Sequence, residues 1–279
     1  MDQPTRKPGG RMHTVTVVGL GEAGAIYARG LRDAGFRVRG FDPFATISEP
    51  GIEQSDSLSE ALRGSSLVIS LVGAKASASV ADDILSRASG PLLIADFNTG
   101  SPDLKEQLER RALSAGAQFA DVAVLAPVPR SGIRTPLMVS GSGAQRFADV
   151  FRPADAPVDV VEGSSGIAAA HKLLRSAFMK GLAGVVIESM RAADRIGASD
   201  WLSGQITREL GERAPALIAR LRDGSQQHAE RRIHEVADTS AYLQSIGQPS
   251  WVTDAAGRWL EVLEHENEQY VSSTTKGGE

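Results

Sequence analysis

The sequence predicts an α/β protein: a doubly wound Rossmann domain followed by an all-α C-terminal domain. Three observations predict it. A run of β-branched residues, Val15-Thr16-Val17-Val18, enters a glycine-rich turn and then a helical pattern. Buried-strand and helix patterns alternate from there to about residue 161, the grammar of a doubly wound sheet. Beyond Glu162 the strand patterns stop and helical ones take over. The expected boundaries are residues 12–162 for the first domain and 163–271 for the second, with 1–11 and 272–279 as disordered tails.

The glycines of the turn fall at the G-x-G-x-x-G spacing, and each has a separate task. Gly19 permits the tight exit from the strand. Gly21 lets a pyrophosphate approach backbone without meeting a Cβ. Gly24 lets the helix lie close on the strand, so that its free N–H groups and positive dipole end face the phosphates. Leu20, Glu22 and Ala23 complete this cofactor loop, with Glu22 facing solvent. A second strand, Phe36–Asp42, ends in Asp42 about twenty residues past the loop, where the fold puts the carboxylate that bonds the adenine-ribose hydroxyls. A carboxylate there repels a 2′-phosphate. Pro43, Phe44 and Ala45 follow it with no arginine to neutralise one, so the cofactor expected is NAD ahead of NADP.

A Pro/Gly/Ser-rich link leads to Ser57-Leu58-Ser59-Glu60, a capping box opening a short helix to Leu62. Leu67–Val72 is another buried strand ending at Gly73, so Val72 lies at the edge facing the cofactor. A helix over 76–88 crosses back to a strand over 91–96. Ser101 and Pro102 supply a capping hydroxyl and an N1 proline for a helix over 102–114. Residues 118–124, 137–141 and 159–161 complete the strands. Gly166–Ile196 reads as one long helix, followed by helices over 201–211, 215–222, 227–246 and 252–268. All three tryptophans (Trp201, Trp251, Trp259) lie in this half, where large aromatics suit a helical core or a subunit interface.

With 279 residues the chain can bury a core and form two domains. A formal charge of −4 and the lack of any basic block argue against a nucleic-acid partner. There is no cysteine, so disulfides, thiol catalysis and cysteine-ligated metal are excluded. His171, His228 and His234 do not fall at metal-ligand spacing, so no metal is expected. The polar start of the chain does not read as a signal peptide, so none is expected, and no apolar stretch is long enough to span a bilayer. A soluble cytoplasmic enzyme is the expectation.

The long helix offers Lys172 on a stripe otherwise made largely of small and apolar residues (Ala168, Met179, Ala183, Val186). A lysine there either snorkels to solvent or serves as an acid–base group, since desolvation lowers its pKa. The residues alone leave both open. Lys180 is off that stripe and reads as a structural ion-pair partner, with a second substrate contact as the alternative.

Gly19-Leu20-Gly21-x-x-Gly24, then Asp96-Phe97-Asn98-Thr99-Gly100-Ser101-Pro102, then Gly166 with Lys172 six residues on, occur in the order seen in the β-hydroxyacid dehydrogenase family. The chain resembles that family, which includes 3-hydroxyisobutyrate and 6-phosphogluconate dehydrogenases, over nearly its whole length. His171-Lys172-Leu173-Leu174, Met179-Lys180-Gly181-Leu182 and Glu235-Val236-Ala237 look more like a subgroup with a 6-phosphogluconate-dehydrogenase-like helical domain. The resemblance implies hydride transfer between a hydroxy acid, or a related anionic alcohol, and NAD(P). It further implies a homodimer formed through the helical domain, Lys172 as the acid–base residue, and Asn98 and Thr99 lining the nicotinamide site.

The sequence also departs from that family. The family's Asp-x-Pro-Val-Ser-Gly-Gly loop falls on Asp121–Pro127, which puts Leu125 where a serine would hold the substrate carboxylate. The asparagine one turn past the lysine falls near Arg175 or Ser176. Arg134, with Thr135, is the candidate replacement anion clamp, because guanidinium matches a carboxylate or phosphate bidentately; a solvated loop arginine is the alternative. His228, Arg231 and Arg232 are weaker candidates for entering a partner's site. Two rivals stand beside the dehydrogenase: an imine or iminium reductase, against which the retained Lys172 argues, and a regulatory protein that binds NAD without turnover.

Overall fold

The computed structural model describes residues 14–88 and 90–276, with side chains up to residue 269. The leader expected over 1–11 and the last three residues lie outside the described part. The chain divides into two compact units, Met1–Lys172 and Leu173–Glu279.

The first unit is built on one eight-stranded sheet in the order β3-β2-β1-β4-β5-β6-β7-β8. Its strands are β1 (Thr14–Val18), β2 (Arg37–Phe41), β3 (Ile52–Gln54), β4 (Leu67–Ser70), β5 (Leu93–Asp96), β6 (Gln118–Val124), β7 (Leu137–Ser140) and β8 (Val158–Val160). The strand order reverses at β1 and β4, which opens a crevice at their carboxyl ends. β1, β4 and β5 are near-continuous apolar runs because both faces are covered. Val15, Val17, Leu67 and Ile69 point to one face, where Tyr27, Leu31, Phe147 and Phe151 meet them. Val18, Val68, Ile94 and Phe119 point to the other, against Leu58, Ile84 and Leu108.

Helices in this unit are α1 (Glu22–Asp33), α2 (Leu58–Leu62), α3 (Ser77–Arg87), α4 (Pro102–Ser114), α5 (Val128–Ser131) and α6 (Ala144–Phe151). Their ends follow the capping signals. The Ser57 hydroxyl accepts from Glu60 N at 3.2 Å and the Ser101 hydroxyl from Leu104 N at 3.3 Å. α1 stops where Gly35 takes φ +91°; Gly35 N donates to Arg32 O and Phe36 N to Leu31 O, a Schellman closure.

Three features are not legible in the sequence pattern. β3 is a three-residue edge strand inside the stretch that reads as a link. α6 comes between two strands and is too short to stand out by periodicity, though Ala144, Phe147 and Phe151 form its buried face. β7 runs antiparallel to β6, and β8 pairs parallel to β7. The β6–β7 connection holds only the one-turn α5 and a 3₁₀ turn, with no crossover helix long enough to return the chain for a parallel pairing.

α7 (Ile167–Arg195) carries the division between the units. The second unit continues with α8 (Ser199–Leu210), α9 (Ala214–Gln227), α10 (Ala229–Ser245) and α11 (Trp251–Lys276). α11 therefore runs past Glu268 and through the first part of the expected C-terminal tail. The core of this unit joins Val186, Ile187 and Met190 of α7 to Ile218 and Leu221 of α9, Val236 of α10, and Leu260 and Leu263 of α11. Gly184 lets α11 approach closely: a Cβ there would meet Ala256 at 3.2 Å. Among the described residues no helix is long and apolar enough to cross a membrane.

Candidate active site

The glycine loop has the shape a dinucleotide requires. Gly19 sits at φ +93°, and a Cβ on it would strike the Leu71 carbonyl. A Cβ on Gly24 would strike the Gly19 carbonyl, so α1 can start this close to β1 only with glycine there. Gly21 is the opposite case: a Cβ there meets nothing within 4 Å, leaving open space before the first free N–H groups of α1. The loop fits a pyrophosphate. Glu22 is exposed, Ala23 is half-buried and Leu20 is buried.

Asp42 closes the loop from β2. Its Oδ2 accepts from Leu20 N at 2.7 Å, and its Oδ1 accepts from Phe44 N at 2.8 Å and Ala45 N at 3.0 Å. These bonds fix the carboxylate at the carboxyl end of β2, and its four lone-pair directions leave capacity for a ribose hydroxyl. Val72 is half-buried at the end of the β4 segment, next to Gly73.

Asn98 is held from three sides. Its Oδ1 accepts from Gly73 N at 2.9 Å, and its Nδ2 donates to Ser70 Oγ at 2.9 Å and to Asp96 Oδ1. The ends of β4 and β5 are thus stapled together, and Thr99 follows directly. Lys172 Nζ donates to Thr99 Oγ1 at 3.3 Å, across a sequence separation of 73 residues. Lys172 is half-buried in the second turn of α7. The first turn is anchored by Asp121 Oδ2, which accepts from Gly166 N and Ala169 N, each at 3.0 Å, and by Ser140 Oγ, which accepts from Ala168 N at 3.1 Å. Glu109 adds a bond from Ser165 N at 2.8 Å.

The clamp expected of Arg134 and Thr135 is not assembled. Thr135 is fully buried, and its hydroxyl donates to the Gly132 carbonyl at 2.7 Å. Arg134 lies on the surface, paired at 3.1 Å with Asp155, both strongly exposed. The 3₁₀ turn Gly132–Arg134 packs on α1, where Ile133 fills the space a Gly30 side chain would need. Thr135 also faces the buried phenol of Tyr27, whose pKa is pushed well up by burial. Leu125 is half-buried, its N–H donating to Pro136 O at 3.0 Å. Ser176 is half-buried one turn past Lys172 along α7.

Lys180 pairs with Glu235 at 2.7 Å inside the second unit, and Arg232 donates to the buried hydroxyl of Ser225 at 2.7 Å. Sequence reasoning passed over Lys105, which is buried between Asp96 and Asp121. The signal was present: Lys105 falls on the buried stripe of α4 with Leu108, Glu109 and Ala112. Among the described residues no group of three or more histidine, aspartate or glutamate side chains is placed to hold a metal.

A glycine cradle, a strand-end acid and a stapled β4–β5 edge define an NAD(P)-binding oxidoreductase fold. The description "NAD binding domain of 6-phosphogluconate dehydrogenase" matches residues 14–153, and a domain of unknown function (DUF1932) matches residues 193–263. The chain belongs to the β-hydroxyacid dehydrogenase family. Among solved structures, a conserved hypothetical protein from Sinorhizobium meliloti is 25% identical with a TM-score of 0.72, covering 90% of this chain and 88% of its own. A 3-hydroxyisobutyrate dehydrogenase from Mycobacterium tuberculosis is 21% identical, TM-score 0.75, covering 90% of this chain and 93% of its own. A reductive aminase from Aspergillus terreus shares the fold at 15% identity and a TM-score of 0.61, covering 91% and 94%. The likenesses to these last two show the fold alone.

Proposed function

We propose that the protein is an NAD-dependent dehydrogenase acting on the CH–OH group of a hydroxy acid or related anionic alcohol, with Lys172 as acid–base residue. The observation that carries this reading is the Lys172–Thr99 contact: an amine on α7 reaches the loop that Asn98 staples to the end of β4. Gly19, Gly21, Gly24 and the start of α1 would hold the pyrophosphate, and Asp42 the adenine ribose. NAD, when bound, supplies a hydride acceptor at its nicotinamide ring. Lys172 Nζ, as the free amine, takes the proton of the substrate hydroxyl; as the ammonium it returns that proton when a carbonyl is reduced. Thr99 Oγ1 holds Nζ in place. With serine absent at Leu125 and Arg134 turned to Asp155, the usual anchoring of a small β-hydroxy acid is not retained, which favours a substrate held by other groups.

The test is initial-rate oxidation of a hydroxy-acid panel with NAD and NADP, on the native chain and on Lys172→Met. Turnover with NAD that collapses in the variant supports the reading. Turnover only of cyclic imines with NADPH would replace it with an imine reductase. Tight NADH binding with no turnover, and no functional effect of the variant, would replace it with a non-catalytic sensor.

We also propose that the helical unit forms a homodimer. Trp201, Trp251, Phe178 and Ile196 are exposed at 66%, 80%, 68% and 80%, large apolar side chains that a second copy would cover. Sedimentation as a monomer at micromolar concentration contradicts this.

A further inference from the structure

One buried ammonium contacts residues that lie behind both partners of the Thr99–Lys172 contact. Lys105 is 1% exposed in its side chain, as is Asp121, and Asp96 is 3% exposed. Its Nζ donates to Asp96 Oδ2 at 2.9 Å and to the Asn98 carbonyl at 2.6 Å, and lies 3.4 Å from Asp121 Oδ1. The two carboxylates then face in different directions. Asp96 Oδ1 accepts from Asn98 N at 3.1 Å and from the Asn98 amide, which sets the loop that carries Thr99. Asp121 Oδ2 accepts from Gly166 N and Ala169 N, which sets the first turn of the helix that carries Lys172.

Two buried carboxylates meet one buried ammonium, and Asp121, together with Glu109 on Ser165 N, faces the positive N-terminal end of α7. Stability alone does not call for such a cluster, because replacing all three charged side chains together by apolar ones of similar volume is often neutral or stabilising. What an apolar side chain does not supply is direction: it bonds neither the loop nor the aspartate that caps the helix.

We infer that Lys105 is a positioning residue for the acid–base pair, holding Thr99 through Asp96 and Asn98 and holding Lys172 through Asp121. The inference rests on the reading of Lys172 given above and names the residue that fixes its place. Lys105 touches neither substrate nor cofactor in this role.

The experiment follows the Lys172 amine itself. Acetylation of Lys172 by acetic anhydride is measured by mass spectrometry across pH, with and without NADH, in the native chain, in Lys105→Met and in Asp121→Asn. Asp121→Asn keeps Lys105 and removes the charge on the α7 side, so it reports even if Lys105→Met does not fold. NADH affinity is read in parallel by cofactor fluorescence, and melting temperature by circular dichroism. Both variants are expected to move the midpoint of Lys172 labelling by about one pH unit. Lys105→Met is also expected to weaken NADH binding about tenfold, through the displaced Asn98–Thr99 loop. A lower melting temperature with the native labelling profile and native NADH affinity would overturn the inference and leave Lys105 as packing. If native Lys172 is labelled like a surface lysine and NADH gives it no protection, the acid–base reading fails first and this inference fails with it.

Discussion

Lys172 Nζ and Thr99 Oγ1 stand 3.3 Å apart, although 73 residues separate them in the chain. Each is immobilised from behind: Thr99 by the Asn98 staple between β4 and β5, Lys172 by the anchored first turn of α7. The contact places an amine and a hydroxyl at the sheet edge where the fold presents its cofactor.

Replacing Lys172 with methionine keeps most of the length of the side chain and removes the proton acceptor. Alcohol oxidation is expected to fall by about 10²- to 10⁴-fold in kcat, with NADH affinity unchanged. Thr99→Ala, which removes one hydrogen bond to the amine and leaves the amine in place, is expected to cost less. Steady-state kinetics with direct NADH titration checks both, and an equal loss in the two variants would count against Lys172 as the group that moves the proton.

The cofactor loop separates space for a ligand from space the protein itself occupies. Gly21→Ala meets no protein atom within 4 Å. It is expected to change folding stability by no more than about 0.5 kcal/mol while weakening NADH binding about tenfold. Gly24→Ala pushes a methyl into the Gly19 carbonyl and is expected to cost about 2 kcal/mol of stability. Thermal melts beside fluorescence titrations distinguish the two; a Gly21→Ala chain that binds NADH normally would remove the pyrophosphate from this loop.

Asp42 holds Leu20 N and the turn at Phe44 and Ala45, and its charge opposes a 2′-phosphate. Asp42→Asn is expected to narrow the preference for NADH over NADPH about tenfold. The ratio of the two dissociation constants measures this directly. An unchanged ratio would show that the carboxylate does not read the ribose.

In the helical unit, burial works against the charged form of Glu235. The Lys180 ammonium 2.7 Å away, with Arg231 and Arg232, outweighs burial and holds its pKa below the usual carboxylate value. A depressed carboxylate pKa contributes stability that is present above the unfolded value and is lost as pH falls through the folded one. Glu235→Gln is therefore expected to cost about 2 kcal/mol near neutral pH. The gap to the native chain should close on acidification, where the native carboxylate is protonated too. Urea denaturation at a series of pH values gives both curves, and a gap that stays constant into acid would show that the charge of Glu235 contributes nothing.

Much of this molecule is written in local sequence. β1, the glycine turn and α1 follow from a β-branched run, three glycines at fixed spacing and Gly35, because strand burial, φ restrictions and helix caps act over a few residues. Asp42 is a candidate for the same reason, at the end of the second strand, whereas Asn98, Thr99 and Lys172 become candidates through the family resemblance. Tertiary structure decided what depends on long-range approach. It set the antiparallel return at β7, the edge strand β3, the inward turn of Thr135 and the pairing of Arg134 with Asp155. Above all it placed Lys105 between two aspartates that lie 25 residues apart in sequence. A lysine on an apolar stripe tells a reader that something must pay for its burial; only the folded sheet brings in the carboxylates that do, because the energy of a buried charge is set by groups that the chain order leaves far apart.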